Sequence, residues 1–88
     1  MNNNENIHTG FNDLKQVELS IDAAQKMVGS ATMSMDEDLL TDATNAVRDA
    51  RTQLENARTN RTGLDEDFLN KSEQILSQCE EQLQEAKQ

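Results

Sequence analysis

Apolar residues recur at alternating spacings of three and four along almost the whole chain, the period of a helix stripe rather than of a strand. One stripe runs Leu14, Val17, Ile21, Ala24, Val28 and Ala31; a second runs Leu40, Ala43, Val47, Ala50, Leu54 and Ala57. A third runs Leu69, Ser72, Leu76, Cys79, Leu83 and Ala86. The spacing predicts helices over about 11–33, 36–62 and 65–87, each about 33–39 Å long at the rise of an α-helix. Residues 1–10 are asparagine-rich and carry Ile7 as their internal apolar residue, so a disordered tail is expected to precede a single domain over 11–88.

The breaks between stripes carry their own signals. Asn12 is a candidate cap for the first helix, Ser34 or Asp36 for the second, and Asp65-Glu66-Asp67 opens the third with acids at the positive end of its dipole. Thr62-Gly63 ends the second helix, glycine taking the left-handed C-terminal conformation at little cost. Residues 35–40 read MDEDLL and residues 64–69 read LDEDFL, an internal repeat at an offset of 29 that marks two helix starts.

An antiparallel arrangement can be written down from these stripes. Pairing Ala31 with Leu40 and working outward to Leu14 with Ala57 centres the first turn at 35–36, and pairing Leu40 with Ala86 out to Ala57 with Leu69 centres the second at 63. Both centres fall on the independently recognised breaks. The fold expected is therefore all-α, an antiparallel up-down-up three-helix bundle with six layers: Ala31/Leu40/Ala86, Val28/Ala43/Leu83, Ala24/Val47/Cys79, Ile21/Ala50/Leu76, Val17/Leu54/Ser72 and Leu14/Ala57/Leu69. Each layer mixes large and small side chains, as three close-packed helices require. Phe68 and Ile75 should seal the third helix against the first, and Met27 and Leu39 should cover the first turn. Arg51 falls opposite Glu73, and Arg58 opposite Glu66. An open hairpin that dimerises into a larger bundle is the alternative architecture.

Composition narrows the function more than it names one. The chain has 88 residues, a net charge of −9, two phenylalanines, and neither tryptophan nor tyrosine. Such acidity repels nucleic acid and anionic membrane, so the expected partner is a neutral or basic protein rather than nucleic acid or lipid. The start MNNNENIHTG has neither a basic nor an apolar segment of a secretory signal, and no apolar run approaches membrane-spanning length, so a cytoplasmic location is expected. A lone cysteine, Cys79, fits a reducing compartment.

Candidate chemistry is sparse. Neither Asp36-Glu37-Asp38 nor Asp65-Glu66-Asp67 has the spacing of a calcium loop, and the up-down-up order puts the two triplets at opposite ends of the bundle, so helix capping accounts for them. Cys79 sits at a core position and His8 in the tail, which leaves no thiol–imidazole pair. No catalytic, cofactor-binding or metal-ligating set is expected. The densest charge lies on residues 62–88, with seven acids against two lysines.

The segments Phe11-Asn12-Asp13-Leu14-Lys15-Gln16-Val17-Glu18 and Ala24-Gln25-Lys26-Met27-Val28, with the ending Cys79-Glu80 and Gln82-Leu83-Gln84-Glu85-Ala86-Lys87, carry a family likeness over about residues 11–88. The chain resembles a family of small acidic cytosolic proteins of spore-forming Gram-positive bacteria, a domain of unknown function. The resemblance implies a bacterial, cytoplasmic setting and brings no activity and no functional residue with it.

The expectation for function is a non-enzymatic helical protein that binds or regulates another protein, monomeric in preference to a homodimer. Its partner-binding residues would be Glu73, Glu80 and Glu81 on the third helix, with Leu19 and Met27 as a secondary patch. Two other readings are an acidic nucleic-acid mimic that inhibits a DNA-binding protein and a self-assembling structural helical protein. The four arginines of the second helix count against the mimic, which needs an unbroken negative surface.

Overall fold

The computed structural model describes residues 9–59 and 66–87. They form three helices, α1 over Thr9–Ser34, α2 over Glu37–Thr59 and α3 over Glu66–Ala86, with no strand among the described residues. Each helix packs on both others, so the chain closes into an up-down-up bundle rather than opening into a long hairpin. The helices α2 and α3 start at Glu37 and Glu66, separated by the offset of the MDEDLL/LDEDFL repeat.

The helix boundaries differ from the sequence expectation by one to three residues. The first helix starts at Thr9 instead of residue 11, so Asn12 lies inside it and is not its cap. Gly10 does not delay the start, because first-turn N–H groups have no intrahelical partner and a glycine there sacrifices only propensity. Of the expected tail at residues 1–10, Thr9 and Gly10 instead begin α1, while residues 1–8 lie outside the described residues, as do residues 60–65 with Gly63 between the end of α2 and the start of α3. At its C-terminus α3 closes at Ala86, and the Lys87 N–H still donates to the Leu83 carbonyl at 3.1 Å.

The α1–α2 turn is two residues long and fully accounted for by hydrogen bonds. Met35 adopts φ 58°, and its N–H donates to the Ala31 carbonyl at 2.8 Å, the left-handed closure of a helix C-terminus. Asp36 then caps α2: its Oδ1 accepts from the Asp38 N–H at 2.8 Å and the Leu39 N–H at 3.2 Å. Ser34, the other candidate cap, accepts through its Oγ from the Asp36 N–H at 3.2 Å instead. The position of Met35 favours glycine, since a Cβ in the left-handed region costs about 1–2 kcal/mol. Met35 is also exposed, so Met35→Gly loses little burial and is expected to raise stability by about 0.5–1 kcal/mol. Thermal unfolding would register a gain of several degrees; a lower midpoint would mean that no strain resides there.

Among the described residues the buried set is fifteen apolar residues and Ser72, every one of them a position of the six expected layers. The two layer residues missing from it, Leu14 and Ala86, are half-buried, because each belongs to an outermost layer with no further layer to cover it. The closest helix pair is α1–α2, where Ala24, Ala31, Ala43, Ala50 and Ala57 let the backbones approach. The larger Leu69, Leu76 and Leu83 of α3 fill the valley above that pair. Phe68 and Ile75 pack against the core on the α1 side as expected. Met27 does so too, whereas Leu39 stays 39% exposed, and with Met33 and Met35 it leaves an apolar tip at the first turn.

Candidate functional site

The three inter-helix seams differ in chemistry because the residues flanking each stripe differ. Between α1 and α2 the flanks are short and uncharged, and Ser20 Oγ donates to Gln53 Oε1 at 2.9 Å. Between α2 and α3 they are charged. There Arg51 extends from α2 between Glu73 and Glu80, which stand seven residues apart on one side of α3.

Arg51 uses its planar fork on both carboxylates. Its Nη1 donates to Glu73 Oε1 and Oε2, each at 2.8 Å, while Nε and Nη2 donate to Glu80 Oε2 and Oε1 at 3.1 and 2.9 Å. Arg58 Nη2 adds an ion pair to Glu73 Oε1 at 3.5 Å, and Ser77 Oγ donates to Glu73 Oε2 at 3.4 Å. The α2–α3 seam is thus pinned by a bidentate charge-assisted clasp. The hydrogen bonds that Arg51 donates to Glu80, and after them those it donates to Glu73, push its guanidinium further toward the charged form. The Glu73 carboxyl is held below its ordinary 4.5, chiefly by the hydrogen bond from Arg51 and against the effect of burial.

This clasp has a pH signature. A carboxylate whose folded pKa is depressed contributes stability above its ordinary value and loses it as the pH falls through the lower folded value. Since 41% of the Glu73 side chain is exposed, solvent screening limits the contribution to about 0.5–1 kcal/mol. The variant Glu73→Gln should therefore be less stable than wild type by that amount at pH 7, with the two curves drawing together as the pH falls below the ordinary 4.5 and through the lower folded value. Urea midpoints measured from pH 7 to pH 3 check this; parallel curves would show that the clasp carries no titrating contribution.

The acids expected to form one partner-binding face thus occupy two environments. Glu73 and Glu80 are held in the clasp, while Glu81, on the outer side of α3, is exposed with no hydrogen bond or ion pair among the described residues. Glu85, one turn on, is equally exposed and equally unengaged among them. Leu19 is 55% exposed and lines a groove between α1 and α3, but Met27 packs on the core and so belongs to a different surface. The role of Glu80 in the clasp is the feature the sequence reading missed; two glutamates seven apart opposite a single arginine were its available signal.

Cys79 is buried, and its thiol is pushed up by that burial first and by the negative charge of Glu80 second. It is thus a protonated, inaccessible thiol at neutral pH, a poor nucleophile. His8, its conceivable base, lies outside the described residues. Among the described residues no group of three histidine, cysteine or acidic side chains is placed to hold a metal ion, and no helix is long and apolar enough to cross a membrane.

Comparison with known proteins supports one part of the sequence likeness, membership of a family of unknown function. Residues 10–88 match the model of a protein family of unknown function, DUF2564. The chain is similar to the uncharacterized protein YpzA of Bacillus subtilis (strain 168), 36% identical over 80 residues that cover 91% of this chain and 89% of that protein. No solved structure matches it.

Proposed function

We propose that this chain, which belongs to the DUF2564 family of proteins of unknown function, is a non-enzymatic cytoplasmic protein that binds or regulates another protein through the outer face of α3. The observation that carries this reading is the split among the acids of α3. Arg51 and Arg58 pair with Glu73 and Glu80 and thereby fix the helix, while Glu81 and Glu85 are left exposed and unpaired among the described residues. Free carboxylates on a rigid helix suit a basic partner surface, for which they supply steering and register more than raw affinity. The likeness to a Bacillus protein supports a bacterial setting, and the single buried thiol fits a reducing cytoplasm.

The clasp dictates how to test the face. Reversing Glu73 or Glu80 would break the α2–α3 seam and confuse misfolding with lost binding, whereas Glu81 and Glu85 have no structural partner among the described residues. In affinity capture from a bacterial cytosol, Glu81→Lys combined with Glu85→Lys should lose a discrete partner that the wild-type chain recovers, with the circular dichroism spectrum unchanged. Equal recovery of that partner by both proteins would remove the outer α3 face from consideration.

A further inference from the structure

The third seam differs from the other two. Between residues 14–34 of α1 and residues 68–86 of α3 no hydrogen bond or ion pair is formed, and the groove there is lined by Leu19, Phe68 and Ile75 with Glu18 and Asp22 on the α1 side and Lys71 on the α3 side. Leu19 projects into solvent although it is a large apolar residue. The two sides of this face carry opposite charge, and Glu18 and Lys71 adjoin Val17 and Ser72 of a single core layer, so they stand at the same height.

We infer that this face binds a second copy of the chain, related by a two-fold axis parallel to the helices. Since α1 and α3 run in the same direction, such an axis sets α1 of one copy against α3 of the other. Lys71 of each copy then meets the Glu18 and Asp22 side of its partner, and the contact is made twice, as an isologous interface requires. An axis perpendicular to the helices would instead lay α3 on α3 and bring the two Lys71 residues together. The charge pattern selects the first arrangement.

The competing ion pairs on α1 are weak: Lys15 stands 4.0 Å from Glu18 and Lys26 3.6 Å from Asp22, all four side chains largely exposed. The 21 residues of α3 give a shared face about 31 Å long, which at about two helix diameters wide offers on the order of 600–700 Å² per copy, the lower part of the range for specific interfaces. The net charge of −9 on each copy opposes association, but that repulsion is screened beyond about 8 Å at physiological salt. This inference concerns a different face from the outer side of α3, so it stands or falls without the partner-binding reading above.

Light-scattering mass across a concentration series tests it, using two charge-reversal variants of exposed residues, Lys71→Glu and the double variant Glu18→Lys with Asp22→Lys. Wild type should rise from 9.9 kDa to twice that mass. Each variant alone should stay monomeric, because its homodimer juxtaposes like charges. An equimolar mixture of the two should recover the doubled mass, because both halves of the mixed interface are then attractive. A wild-type mass that remains at 9.9 kDa would overturn the inference. So would a dimer that both variants retain, or a mixture that stays monomeric.

Discussion

Shortening Leu76 to alanine is expected to lower the free energy of unfolding by about 3 kcal/mol, the middle of the range for a fully buried leucine. Leu76 is 0% exposed, and in its layer it faces Ile21 and Ala50. Ala50 is too small to collapse into the space left behind, and Ile21 is fixed by its own β-branch. A domain of this size holds roughly 4–13 kcal/mol in total, so the variant should unfold at least 10 °C earlier and at a clearly lower urea midpoint. The control is Gln78→Ala on the same helix, an exposed position where the change should stay within about 0.5 kcal/mol. Equal losses at the two positions would refute the layer assignment.

The second large effect comes from adding volume instead of removing it. Ala24 is 0% exposed on the face of α1 that packs closely on α2, whereas its neighbour Ala23 is exposed. Leucine and alanine both favour helices, so a leucine at either position tests packing rather than propensity. Ala24→Leu should cost about 2 kcal/mol by forcing α1 and α2 apart, and Ala23→Leu should cost less than about 0.5 kcal/mol. Chemical denaturation of the pair reads the contrast directly. If Ala24→Leu were as stable as wild type, the close α1–α2 approach would not depend on small side chains.

These two experiments rest on positions that the chain reveals before any coordinates are known. The stripes identified every buried residue among those described, including Ser72 and Cys79, two that composition alone would not have assigned to the core of a bundle. They identified the first break as well, because the capping acid Asp36 acts locally and leaves a local mark, and α2 and α3 fall on either side of the second. The site was less legible. Glu73, Glu80 and Glu81 read alike in sequence, and their different fates depend on how far Arg51 reaches across from another helix. Met27 and Met33 lie six residues apart on α1, and rotation about the helix axis puts Met27 on the core and leaves Met33 in solvent.

The sequence by itself determined the number of helices, the direction of each relative to the next and the membership of the layers, all consequences of a helical period interrupted at capped turns. The tertiary structure alone decided which seam is tight, which is clasped by charge and which forms no polar tie between residues 14–34 and 68–86. The physical reason is that core membership follows from a residue's position on its own helix, whereas the character of a seam depends on what two helices distant in the chain present to each other once packed. The strain at Met35 belongs to the same category, since a two-residue connection between helices already fixed by their packing leaves its backbone no other conformation.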